Sequence, residues 1–261
     1  MLGIEREISP IGPETIFEIS GFRVANSTLF IVFMIILMIV FYKTVMKKFK
    51  TKPTSIQVGV EMLYEGVIDL IDQITGNKER SKKVFAIVFS ILVFVGISNL
   101  IGLIPGLTSI TYDGLSIFRT PTADFNTTFV LAFGSVLVLQ FVSIKEWGLW
   151  GHINKFVKIS DLVKGFKGGI KSGMMALIDF FIGLLDIVGE LAKVFSLSLR
   201  LFGNMYAGEV LMIIIVGSLA YVLPSVWLSM NLLVGVIQAL VFGSLVTAYY
   251  MLSVKEDESQ S

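Results

Sequence analysis

A single arginine, Arg200, stands inside the apolar run "VFSLSLRLFGNMYAGE" (194–209), and a carboxylate, Glu209, closes that run. A charge at the centre of a membrane helix costs about 2.5 kcal/mol or more, so an ionisable residue kept there marks an ion path, a buried ion pair or a voltage sensor. Voltage sensing needs several arginines at regular spacing, and this run holds one. On a helical wheel of about 100° per residue with Asp186 at zero, Glu190 falls near ~40°, Lys193 near ~−20°, Arg200 near ~−40° and Asn204 near ~0°. Asp179 and Gly208 join that sector, so one polar ridge runs along an otherwise apolar helix. Glu209 falls near ~140°, almost opposite Arg200, and about 13 Å further along the axis. Arg200 and Glu209 therefore face different surroundings. Two readings of Arg200 fit its spacing: a fixed charge between two polar routes, or a buried ion-pair partner that sets helix packing with Asp186, Glu190 and Lys193 as snorkelling end residues.

The helix carrying this ridge is long. No proline interrupts residues 174–221, and 48 helical residues extend roughly 72 Å, more than twice the ~30 Å hydrocarbon thickness. Such a helix tilts steeply, runs along the membrane or breaks. Leu223, Pro224 and Ser225 mark a turn, and residues 226–252 return toward the acidic tail "KEDESQS". The return segment is also longer than a perpendicular crossing, so the pair is expected as an oblique hairpin. Antiparallel pairing from that turn brings Gln238 to the level of residues 205–208, near the Arg200 region, and Asn231 lies two turns away on the same face.

The rest of the chain supports a membrane solution. Of 261 residues, 54% are hydrophobic, and the mean hydropathy is +0.82, beyond the usual range of soluble domains of this size. Several apolar runs approach the roughly 20 residues of a helical span, and they lack the alternation of a β-barrel strand. No cysteine is present and there is one histidine, His152, which excludes disulfides, thiolate metal sites and histidine clusters. His152 reads as a surface residue of a basic loop.

Charge sets the topology. Residues 1–28 read as an external segment and 29–46 as a first span, followed by Lys43, Lys47, Lys48, Lys50 and Lys52 on the cytoplasmic side. Residues 54–75 differ: Glu61, Glu65, Asp69 and Asp72 form an acidic stripe opposite Val60, Leu63, Tyr64, Val67, Ile71 and Ile74, as in a helix lying on the inner surface. Residues 84–144 hold two spans joined by an external loop, 145–173 a basic cytoplasmic loop, 174–252 the tilted hairpin and 253–261 a cytoplasmic tail. The expected fold is an all-α integral membrane protein with about five transmembrane helices and one interfacial amphipathic helix. Its N-terminus is outside and its C-terminus cytoplasmic.

The stretch 196–209, "SLSLRLFGNMYAGE", resembles the signature of the a subunit of F-type ATP synthases. In the family's order stand "SNLIGLIPG" (98–106), "PTADFNTT" (121–128) and "IQALVFGSLVTAYY" (237–250), so the resemblance covers most of residues 58–254. It implies a stator subunit with two offset half-channels that carry protons or sodium ions to and from the carboxylates of a rotating c-subunit ring. The implied partners are that ring, the peripheral-stalk b subunits, the remainder of the F1F0 complex and membrane lipids, with no nucleic acid, cofactor or metal. The chain itself would be non-catalytic, and its location a bacterial plasma membrane.

By the same resemblance Arg200 is the stator charge, while Glu209, Asn204 and Gln238 lie near the ion path. Asp186 stands where many relatives carry an acid on the cytoplasmic route, and the neighbouring Glu190 is taken with it. Asn231 departs from relatives that place histidine there, and an amide does not titrate. Asp124, in the "PTADFN" loop, fits either an outer channel mouth or a turn-stabilising role. A self-contained ion channel or secondary transporter is the competing functional class, and no internal repeat supports the inverted-repeat form of it.

Overall fold

The computed structural model describes residues 12–19, 22–47, 54–104, 110–112, 115–156, 170–218 and 222–254. Among these, helices dominate: α1 (Asn26–Lys47), α2 (Ser55–Thr75), α3 (Lys78–Gly102), α4 (Phe125–Phe156), α5 (Ile170–Ser218) and α6 (Val222–Ser253). Two antiparallel hairpins, β1 (Thr15–Ile19) with β2 (Phe22–Ala25) and β3 (Thr111–Tyr112) with β4 (Leu115–Ser116), are the strands of the described residues. A 3-10 turn, Pro121–Ala123, leads into α4. Among the described residues, four helices are long and apolar enough to cross a membrane: Asn26–Thr44, Lys78–Gly102, Phe125–Asn154 and Val222–Ser253. α5, on which a fifth crossing was expected, is 49 residues long and carries the charged ridge.

Local chemistry sets the helix ends. The Thr54 side chain accepts a hydrogen bond from the Gln57 amide and starts α2, and Gly76 ends it at φ 62° with its N–H on the Asp72 carbonyl. Asn77 follows at once as the N-cap of α3, accepting from the amides of Glu79 and Arg80. α2 thus docks tightly on α3, burying Val67 and Ile71 and leaving Met62, Leu63, Tyr64, Glu65 and Asp69 exposed. This leaves an apolar flank beside an acidic one, as a helix at a membrane surface requires.

The basic stretch expected as a loop over 145–173 is partly helical. α4 runs on past Lys145 through a kink at Gly148, where φ 72° and ψ 164° place the backbone in the left-handed half that favours glycine. Beyond the kink, His152 Nδ1 lies 3.0 Å from Ser143 Oγ, and its ring meets Phe156 edge-on, so the histidine is half-buried rather than a free surface group. Pro224 likewise falls inside the first turn of α6 rather than between helices. A proline there removes an N–H that has no helical partner, so it starts the helix without breaking it.

The core lies among α3, α4, α5 and α6, where Val88, Val95, Leu139, Leu197, Leu201, Phe242, Val246 and Tyr250 form one cluster. α3 and α6 approach most closely along the small residues Gly235, Ala239 and Gly243, spaced four apart on one face of α6. A Cβ on Gly235 would lie 3.2 Å from Asn99 Cβ, and one on Gly243 would lie 3.3 Å from Val88 Cγ1 and Leu92 Cδ1. With no hydrophobic drive between helices in lipid, such stripes let backbones pack by dispersion and close polar contacts. α1 stands off from this bundle. It is anchored at its start by Ser27 and by Phe30 against Phe118, and a cleft of about 690 Å³ separates it from α3 and α4.

Gly243→Leu should drive α3 and α6 apart and cost about 1–3 kcal/mol. The expected readout is a lowered melting temperature of the detergent-solubilised protein, and an unchanged value would refute the close approach.

Candidate functional site

The polar residues of the apolar core gather along α5 and the face of α6 beside it, in three groups. Nearest the start of α5, the Glu190 carboxylate accepts from Lys193 Nζ at 2.6 Å and from Gln140 Nε2 at 2.8 Å. The Lys193 ammonium lies 5.0 Å over the centre of the Tyr249 ring. Both ions of the pair are about three-quarters buried, so the two hydrogen bonds and the ring face compensate much of their desolvation. α4, α5 and α6 all contribute. Asp186, one turn earlier, is exposed.

About 15 Å further along α5 lies the second group. Arg200 is exposed, as are Phe195 and Leu199 earlier on the same helix, and it has no ion pair or side-chain hydrogen bond among the described residues. One turn on, Asn204 Nδ2 donates to Gln238 Oε1 at 2.9 Å. Gln238 is 4% exposed, and its Nε2 has no protein partner. The α6 amide expected near the Arg200 region is thus in it, one turn from Arg200. Ser198 Oγ, buried beside this group in sequence, is also without a protein partner.

The third group surrounds Glu209, on the side of α5 away from Arg200. Here the connection between α3 and α4 folds onto the long helix. Thr120 and the Arg119 guanidinium lie near the Glu209 carboxylate. Arg119 is buried and tethered, with Nη1 donating to the Gly12 carbonyl at 2.6 Å and Nη2 to the Ala123 carbonyl at 3.2 Å. From α6, the Asn231 amide presses on Gly208, and Trp227 Nε1 donates to the Gly208 carbonyl at 3.1 Å. A Cβ on Gly208 would fall 2.9 Å from Asn231 Nδ2, so glycine is what lets the amide reach the α5 backbone. One turn along α6, Asn99 Nδ2 donates to the Gly235 carbonyl at 3.0 Å, leaving Asn99 Oδ1 buried and unpartnered.

Asp124 resolves differently. It is 2% exposed, its Oδ1 accepts from the Asn126 amide, and its Oδ2 accepts from Ser27 Oγ at 2.7 Å and Thr127 Oγ1 at 3.2 Å. Of its two expected roles, the turn-stabilising one matches these contacts: the carboxylate caps α4 and ties α1 to it.

Several members of these groups were not singled out in the sequence. Gln140 is a lone amide in "SVLVLQFV", which is a signal of the same kind as Arg200. Asn99 lies inside the "SNLIGLIPG" motif. Thr120, Trp227 and Tyr249 carry no such signal, because their roles depend on which element folds against them.

This fold and this distribution of polar groups define a multi-pass helical membrane protein, with charged residues along α5 and amides on the adjacent face of α6. The chain belongs to the ATP synthase A chain family, whose model matches residues 27–251. It is 31% identical over 232 residues to ATP synthase subunit a of Trichlorobacter lovleyi, covering 89% of this chain and 88% of that one. It is 32% identical over 244 residues to ATP synthase subunit a of Geobacter sulfurreducens, covering 94% and 92% respectively. With ATP synthase subunit a 3 of Pelobacter propionicus the identity is 34% over 232 residues, covering 89% and 88%. Membership places the chain in the membrane sector of the F1F0 complex, in ion transport and ATP synthesis.

Asp124→Ala removes the α4 cap and the tie to Ser27, and should lower stability by about 1–2 kcal/mol or more. Thermal unfolding of the solubilised complex reads this loss, with per-complex transport retained. Lost transport at unchanged stability would instead assign Asp124 to the ion path.

Proposed function

We propose that this chain is the ion-translocating stator subunit of the rotary ATP synthase, carrying protons or sodium ions through two offset half-channels to and from the carboxylates of a c-subunit ring. The observation that carries this reading is Arg200: a guanidinium exposed on a largely apolar helix, with no ion pair among the described residues. In lipid that charge is costly, so the face around it suits a partner that supplies an opposite charge. A ring of carboxylates passing by meets that requirement.

The mechanism follows from electrostatics. A ring carboxylate moving through lipid travels neutral, because a desolvated charge is prohibitive there. Beside Arg200 it ionises, since a close opposite charge lowers a carboxyl pKa by roughly 1–3 units. Its ion leaves by one route, and after rotation another arrives by the other. Guanidinium suits the task because it keeps its proton where an ammonium loses it, and its fixed charge blocks a direct leak between the routes. The groups around Glu190 and Glu209 lie on either side of Arg200 along α5, which supports an inner route through Asp186 and Glu190 and an outer one through Glu209. Asn204, Gln238 and Asn231 lie between or beside them, and the unpartnered atoms of Gln238 and Asn99 offer hydrogen bonds to water on the way. Each charge moved through 100 mV yields about 2.3 kcal/mol, so several ions drive each ATP formed. In this reading α5 and α6 cross the membrane obliquely as a hairpin against the ring. The b subunits brace the stator, the N-terminus lies outside and the C-terminus lies in the cytoplasm of a bacterial plasma membrane.

Arg200→Ala is expected to abolish ATP-driven ion pumping in membrane vesicles while the assembled complex persists. Normal coupled pumping by that variant would overturn the assignment. Purified chain alone in liposomes should show no selective flux, and robust flux would point to a self-contained channel.

A further inference from the structure

Lys193 and Arg200 share one sector of α5, about 10 Å apart along its axis. Their surroundings differ. Arg200 is exposed, whereas Lys193 is about three-quarters buried, 2.6 Å from Glu190 and 5.0 Å over the Tyr249 ring. Glu190 is committed at both carboxylate oxygens: Oε1 accepts from Lys193 Nζ, and Oε2 accepts from Gln140 Nε2 at 2.8 Å. Ammonium and amide N–H groups only donate, so a proton arriving on Glu190 would have to displace one of them. Three helices close the cluster, with Gln140 from α4, the ion pair from α5 and Tyr249 from α6. Asp186, one turn earlier on the same ridge, is exposed and has no ion pair or side-chain hydrogen bond among the described residues.

We propose that Glu190 is the counter-ion of Lys193, with Gln140 as the positioning residue that holds the pair, and that Asp186 alone exchanges ions on the inner route. This inference divides the inner route's two acids by role, and it rests on that route as proposed above. An unbalanced ammonium at this level sets a second positive charge on the path of a cation toward the ring, before it reaches Arg200. At the dielectric typical of a protein surface, two unit charges about 10 Å apart change an occupancy by about tenfold. Glu190 cancels that field, which leaves Arg200 the one unbalanced positive charge of the ridge among the described residues. Gln140 bonds the carboxylate from a different helix, so the pair stays folded against α4 and α6 rather than turned to the exposed side.

Rescue separates a counter-ion from a relay. ATP-driven pumping is measured with the complete complex in inverted membrane vesicles and normalised to the assembled subunit. Glu190→Gln leaves Lys193 unbalanced and should lose about tenfold. Adding Lys193→Met removes the other charge and should restore pumping to within about threefold of the parent. A double variant as impaired as Glu190→Gln would make Glu190 an exchanging group and overturn the proposal. Normal pumping per assembled complex in Glu190→Gln would reduce the pair to a helix fastener and overturn it too. Should Glu190→Gln not assemble, Lys193→Met alone makes the same comparison, because a counter-ion pair predicts that it is more impaired than the double variant. Gln140→Leu keeps both charges and removes one donor, so a loss of about two- to fivefold is expected, with no loss counting against its positioning role. Asp186→Asn is the control for the route and should be inactive. If it pumps normally, the inner-route reading fails, whatever the rescue shows of Glu190.

Discussion

An ionised group inside an apolar slab needs a partner, water or an exit, and nearly every polar feature of this chain answers that demand. Glu190 and Lys193 answer it by pairing, with Gln140 and the Tyr249 ring closing the shell. Asp124 answers it with a backbone amide and two hydroxyls. Arg119 answers it with peptide carbonyls. Arg200 alone among these is left to a surface, and it is that contrast which makes its exposed face informative.

The same demand explains the packing. α3 and α6 have no hydrophobic drive to associate in lipid, and they meet through glycines and an alanine that bring backbones close. That closeness lets the Asn99 amide reach the Gly235 carbonyl, and Gly208 on α5 likewise admits Asn231 of α6. Polar side chains are therefore placed by small residues on the opposing helix. A larger residue at Gly208 or Gly235 displaces an amide as directly as mutating the amide itself.

Much of this was legible in the residues. The length of α5, the ridge from Asp186 to Asn204, and the opposite facing of Glu209 all follow from helical periodicity and the absence of proline. Gln238 was placed near Arg200 by antiparallel counting, and it bonds Asn204 one turn away. The reading was weaker where a single residue type serves two ends. Pro224 reads as a turn yet sits in the first turn of α6, because proline is tolerated where the helix has no N–H to satisfy. The lysines beyond Ile144 read as a loop, yet helix continues to a kink that Gly148 alone permits. His152, taken as a surface residue, is turned by that kink toward Ser143.

What the sequence by itself determined is everything that repeats along one element: hydropathy, the polar ridge, the amphipathic α2 and the ordered motifs. These are local, because a helix fixes the angle and rise between its own residues. What only the tertiary structure decided is which groups from different elements meet. The Gln140–Glu190 contact spans two helices, and the Ser27–Asp124 contact joins the start of α1 to the cap of α4. No periodicity encodes such encounters. They depend on which small residues let two backbones approach, and on how the turn before α4 folds once Asp124 has capped it.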